Sequence, residues 1–307
     1  MISFTAEDTH QGKNIVELLQ ETYPDFSQKE LLDALKRGLI TVNGEQAHRR
    51  VKLSAKDSIR IYLTSDAAGL ALRPNIIYQD HNIVIADKPA GLASVSDTGP
   101  SAISMVEEIM RQRGEYSLQA LMVPYIIYPL EKYVSGLLIL AKHESVYLFL
   151  AEAIAQRRIA RHYVCAVAGK AKEKDELLAY HLHKKSKTSV RILKNQNKYA
   201  KPIVTRYRSL ALGDELSLIC ARPITNYMHQ VRAHLAFEKL PVIGDSVYGS
   251  ERINKRLKSD HIALWLKTLV FETGTSHEYA YLNGKTFESS YHSFPKCVYD
   301  AGLLEAH

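Results

Sequence analysis

What is scarce in this sequence closes off several classes of protein. Cysteine is nearly absent. Cys165, Cys220 and Cys297 are far apart, odd in number and without metal-ligand spacing, which excludes a disulfide framework or a cysteine zinc site and reads as reduced thiols in the cytoplasm. Long apolar runs are missing too. The run from Val134 to Ala141 suits a buried strand and is far too short to cross a bilayer, so no membrane segment or membrane partner is expected. The opening MISFTAEDTHQGK has no apolar core, so no signal peptide is expected. Acidic residues are short in one stretch. From Lys142 to Arg208 there are 16 Lys and Arg against 5 Asp and Glu, in a chain whose net charge is +7. A local basic excess suits a polyanion, most simply RNA or DNA.

What is present fits a soluble protein with two cores: 307 residues, 46% hydrophobic and 24% charged. Residues 1–63 read as a small module. Ser27-Gln28-Lys29-Glu30 has the form of a capping box, and Leu31, Leu32 and Leu35 make one face of the helix that follows. Gly38 ends that helix, Asn43-Gly44 marks a hairpin, and Ser58 to Tyr62 reads as a closing strand. The order of Ser27, Lys36, Gly38, Ile40, Val42, Asn43, Gly44, Asp57 and Ile59 resembles the alpha-L RNA-binding motif of a small-subunit ribosomal protein. The resemblance makes Lys29, Lys36, Arg37, Arg49 and Arg50 candidates for RNA phosphates. The module's charges balance, nine against nine, so an RNA face there comes from arrangement and not from excess. Residues 64–73, small and ending before Pro74, read as a linker.

Residues 74–295 form the large domain and 296–307 a tail. Two apolar strands flank a polar turn before Lys88-Pro89-Ala90-Gly91-Leu92. A helix is expected over 101–113 and an amphipathic one over 144–158. A strand and turn run from Arg161 to Gly169. Glu131 is the carboxylate at the mouth of the buried strand, in Tyr128-Pro129-Leu130-Glu131-Lys132-Tyr133-Val134-Ser135-Gly136-Leu137-Leu138-Ile139-Leu140-Ala141-Lys142. A charge there is costly unless it is paired or used.

This stretch resembles the catalytic motif of RluA-type pseudouridine synthases, H-R-L-D-x-x-T-S-G-L-L-L-L-A-K. The tail is kept, but Tyr128 replaces His, Pro129 replaces Arg, Glu131 replaces the nucleophilic Asp and Val134 replaces Thr. Further stretches resemble the family in order: Lys88 to Leu92, Arg161 to Gly169 with its Tyr163, Pro223 to Leu235 with His229-Gln230-Val231-Arg232-Ala233-His234-Leu235 intact, and Pro241-Val242-Ile243-Gly244-Asp245 to Gly249. In the Pro223 to Leu235 stretch Asn226-Tyr227-Met228 stands for the family's G-R-T.

The resemblance implies an α+β protein: a pseudouridine synthase-like catalytic domain with a mixed, mostly antiparallel central sheet, plus a small N-terminal α/β RNA-binding domain. It implies a cofactor-free uridine isomerisation without a metal. Glu131 would be the carboxylate, Arg232 its cation, and Tyr163 the ring against the target base. Tyr128, His229 and Gln230 join the RNA-contacting candidates, with Tyr128 and Tyr227 readable either as stacking surface or as core packing. Ribosomal or transfer RNA is the expected partner, and the protein is expected to be a monomer. Because the replacements fall on the motif that does the chemistry, weak or lost activity is expected, with a working synthase as the alternative. His181 and His183, which share a strand face, allow a metal-dependent hydrolase as a third reading.

Overall fold

The structure, a computed structural model, describes residues 2–22, 28–36, 40–43, 45–61, 74–96, 101–112, 124–186, 188–259, 261–289 and 294–304. The expected linker, the helix cap Ser27, the helix end Gly38, Arg37 and Gly44 lie outside them, as do the side chains of Lys29 and Lys36.

The first region holds β1 (Ile2–Thr5), α1 (Ile15–Thr22), α2 (Gln28–Lys36), β2 (Ile40–Val42), β3 (Glu45–Gln46) and β4 (Ser58–Ile61). Its four strands form an antiparallel sheet in the order β1-β4-β2-β3. Leu31 and Leu35 of α2 are buried with Ile15, Leu18 and Leu19 of α1, which accounts for the apolar face read from the sequence. Helix α1 and strand β1 were not expected. β1 is too short to show a clear alternation, and its identity comes from its pairing with β4.

The second region holds β5 (Asn75–Gln79), β6 (Ile83–Lys88), α3 (Ala102–Gln112), β7 (Tyr125–Ile126), β8 (Ser135–Ala141), α4 (Glu144–Ala155), β9 (Ile159–Ala168), β10 (Glu176–Lys184), β11 (Val190–Leu193), β12 (Lys201–Leu212), β13 (Leu216–Pro223), α5 (Gln230–Phe237), α6 (Glu251–Arg256), β14 (Leu264–Phe271), β15 (Thr286–Glu288) and α7 (Lys296–Asp300). The main path of its 11-stranded sheet runs β11-β10-β12-β13-β9-β14-β8-β6-β5, with β15 on β14 and β7 on β8. Every pairing is antiparallel except β14 with β8. The fold is α+β, as the motifs implied.

Strand β8 is buried along its whole length, as the apolar run from Leu137 to Ala141 requires. Gly136 makes its parallel seam possible: φ is +116°, and a Cβ would lie 2.2 Å from the Leu266 carbonyl oxygen. The expected tail is not separate. Val298 of α7 and Leu303 are buried in the same core as β8, because both are apolar side chains with that core within reach. No helix among the described residues is long and apolar enough to cross a membrane.

Candidate active site

Glu131 lies on a turn just before β8, closed by the Val134 amide donating to the Glu131 carbonyl at 3.0 Å. The segment after β6 pins this turn. The Gly91 amide donates to Lys132 O at 2.8 Å, Ser94 Oγ donates to Leu130 O at 2.7 Å, and the Leu130 amide donates back to Ser94 Oγ at 3.0 Å. Lys88, fully buried, donates from Nζ to the carbonyls of Pro89, Leu92 and Lys132 at 3.0, 2.8 and 3.2 Å. Burial lowers its pKa to about 7, against the opposing pull of Glu131 and Asp87. Two stretches distant in sequence thus fix one carboxylate.

Its partner comes from α5. Arg232 donates from Nε and Nη2 to both oxygens of the buried Asp245 at 2.8 and 2.6 Å, and from Nη1 to Glu131. Asp245 also accepts the amides of Val247 and Tyr248 at 2.8 and 2.9 Å. Burial opposes the Arg232 charge, but the two carboxylates more than offset it and its pKa is raised. Burial likewise works against ionised Asp245, and Arg232 more than reverses that. The carboxylate is therefore aimed by a guanidinium that is itself fixed by a bidentate pair.

His229 caps α5 in the left-handed region, with φ 55°. Its Nδ1 is 3.0 Å from Tyr248 Oη and its Nε2 is 3.4 Å from Glu131. Burial, helped by Arg232, lowers its pKa. Tyr248 lies beneath Arg232, its ring centroid 5.3 Å from the guanidinium.

These groups open on a cavity of about 520 Å³ whose walls also carry Tyr163 and Arg161 of β9 and Leu264 of β14. The structure thus brings together Glu131, Tyr163, Arg232, Tyr128, His229 and Gln230. Two of the RNA-contacting candidates have other work. Gln230 is buried, donating to Val204 O and Thr205 Oγ1 and accepting from Thr225 Oγ1, so it ties α5 to β12. Tyr128 is only 5% exposed, donates to Leu137 O at 3.1 Å, and has Arg161 over its ring at 5.3 Å. Of its two readings, core packing is the one the geometry fits. Tyr227 is 39% exposed at the pocket and keeps a free surface. Arg49 and Arg50 are exposed on the turn before β4. His181 and His183 share β10, but no group of three or more His, Cys, Asp or Glu comes together among the described residues.

Sequence reasoning missed the functional placement of Asp245, Lys88, Tyr248 and Arg161. The first three stand inside motifs already noted, and Arg161 stands two residues before Tyr163 on one strand face.

A family model described as RNA pseudouridylate synthase matches residues 82–237, the span from the turn before β6 to the end of α5. The chain is 28% identical to an uncharacterised RNA pseudouridine synthase of Aquifex aeolicus, over 81% of each chain. It is 28% identical to ribosomal large subunit pseudouridine synthase D of Nitrosomonas europaea, over 81% of this chain and 72% of that one. Among solved structures, human RNA pseudouridylate synthase domain containing 4 shares the fold with a TM-score of 0.55 and 19% identity, over 64% of this chain and 84% of the other. The family match covers the pinned turn, the buried strand and the arginine helix that together hold Glu131. With its replacements at Tyr128, Pro129 and Glu131, the chain belongs to the RNA pseudouridylate synthase family.

Proposed function

We propose that this protein binds RNA, seats a uridine in the Glu131 pocket and isomerises it to pseudouridine at a low rate. The observation that carries the reading is the chain Glu131–Arg232–Asp245, assembled at the mouth of a cavity walled by Tyr163. A carboxylate is the group needed at the sugar or the ring when a glycosidic bond is broken without a cofactor. The base, freed by cleavage of its N1–C1′ bond, turns over Tyr163 and rejoins C1′ through C5, after which C5 loses its proton and N1 gains one.

The low rate follows from what has been replaced. Glu131 is one methylene longer than the family's Asp, and a displacement of about 1 Å costs on the order of 10²-fold in rate. Pro129 offers no guanidinium to fill the gap left by a flipped base. Flipping out of a duplex costs a few kcal/mol, so uridines in loops are the favoured substrates. Ribosomal RNA is the first substrate class to test, as the relatives include large-subunit rRNA enzymes by name, with transfer RNA second. Exposed Arg49 and Arg50, together with Lys29 and Lys36, supply phosphate contacts from the N-terminal region, which acts as the RNA-binding domain.

A second reading, binding without isomerisation, is favoured by the buried, hydrogen-bonded Tyr128, whose ring cannot enter a base stack. Tritium release from RNA labelled at uridine C5 separates the two. Slow release by wild type that vanishes in Glu131→Ala and quickens in Glu131→Asp is expected. No release by wild type or by Glu131→Asp would leave a binding protein.

A further inference from the structure

Arg161 is as buried as any residue of the pocket that carries a charge, with 6% of its surface exposed, yet among the described residues no carboxylate pairs with it. Its Nη1 donates to Asn226 Oδ1 at 2.8 Å, and its guanidinium lies over Tyr128. Its Nε is buried without any partner. A buried charge left in this state is expensive, and an unmet N–H adds to the cost. Such a group persists where something else meets it. Asn226 Oδ1 is turned toward Arg161 by that bond, which leaves its NH₂ as the group free to donate. Arg161 and Asn226 together therefore present mainly donors to the cavity.

The depth of Arg161 says which part of a nucleotide reaches it. The sugar-phosphate chain stays outside when a nucleotide is flipped, and only the base goes in. The rim is made of exposed groups: Glu131, its side chain 36% exposed, and Asn226, Tyr227 and Met228, so that Asn226 bridges the rim and the buried Arg161. Arg161 stands inward beside Tyr163, from the same face of β9.

We infer that Arg161 and Asn226 form the base-reading site of the pocket, donating to the C4 carbonyl of a flipped uracil and rejecting cytosine, whose C4 amino group is itself a donor. This rests on the reading of the cavity as a uridine pocket. Arg161 supplies from a strand the pocket cation that Pro129 no longer supplies from the turn.

The test is fluorescence anisotropy of the full chain with a short single-stranded oligoadenosine carrying one central uridine or one central cytidine. Wild type is expected to favour the uridine strand on the order of tenfold, the range of a hydrogen bond to a charged group. Arg161→Met is expected to remove the preference while leaving affinity for the cytidine strand unchanged. Its melting temperature is expected to rise by a few degrees, since an unpaired buried charge is gone. Arg161→Lys, which keeps the charge with fewer donors, is expected to fold and keep part of the preference. A preference retained in Arg161→Met overturns the assignment. So does equal weakening of both strands, or an Arg161→Met protein that does not fold, either of which marks a structural cation. If wild type shows no preference and Tyr163→Ala binds both strands as wild type does, the uridine pocket itself has failed along with it.

Discussion

Two arginines reach one pocket from different elements and are equally buried, 6% exposed each. Arg232 on α5 is saturated, gripped by Asp245 through two bonds and reaching Glu131 with a third. Arg161 on β9 has one amide oxygen, one aromatic face and an unmet Nε. Burial alone therefore does not tell what a charge is for. A buried cation whose counter-charges are built into the chain is part of the frame, and one without them is positioned for a visitor. The same residue type gives opposite expectations for stability when it is removed.

The largest effect is expected from Arg232→Met. It leaves the Asp245 carboxylate buried with its strongest partner gone, a loss of about 3–5 kcal/mol, to be measured by urea unfolding. A cost under about 1 kcal/mol would dissolve the contrast with Arg161. Next comes acid. His234, two residues along α5, has its Nδ1 2.9 Å from Thr205 Oγ1 and its Nε2 unmet. Burial lowers its pKa to about 4. The unfolded chain therefore takes up a proton that the folded one refuses as pH falls below about 6.5. The stability from neutral His234 is complete above that pH and is lost by about pH 4, roughly 3 kcal/mol in all, and His234→Gln is expected to flatten this part of the pH profile. If the profile keeps its slope, the helix that carries Arg232 is not held by a neutral imidazole. The smallest change in stability is expected from Glu131→Gln, under about 1 kcal/mol, because Arg232 keeps Asp245 and Glu131 is partly exposed. Tritium release should nevertheless disappear. A large loss of stability there would make Glu131 part of the frame and not of the chemistry.

The sequence carried the fold well where side chains repeat with a period. The apolar run of β8, the hairpin at Asn43 and the stripes of α2 and α4 are where burial and turn chemistry demand them. The pairing of Glu131 with Arg232 was legible through the motif that each belongs to. The bidentate grip of Asp245 was not, since nothing local ties a residue on the loop after α5 to a guanidinium on that helix. Gln230 reads as an RNA-contacting candidate in sequence, and its bonds to β12 appear only once α5 is packed against that strand. Arg161 shows the limit most plainly. Alternation on β9 puts it beside Tyr163, but the absence of a counter-charge is a property of the packed molecule and cannot be seen in the neighbours of one residue.

The parallel seam at Gly136 also bears on how the protein is made. Trp265 pairs with Ser135, and Asp245 holds Arg232 against Glu131, so the turn carrying the carboxylate must wait for chain translated more than a hundred residues later. Pairings of such sequence separation are slow to form, whereas the first sheet closes among neighbours within its first sixty or so residues. During synthesis the N-terminal region is therefore expected to fold while still tethered to the ribosome, with the pocket absent until translation is nearly finished. A nascent chain of this protein would offer a folded N-terminal region, proposed above to bind RNA, before it offered a site.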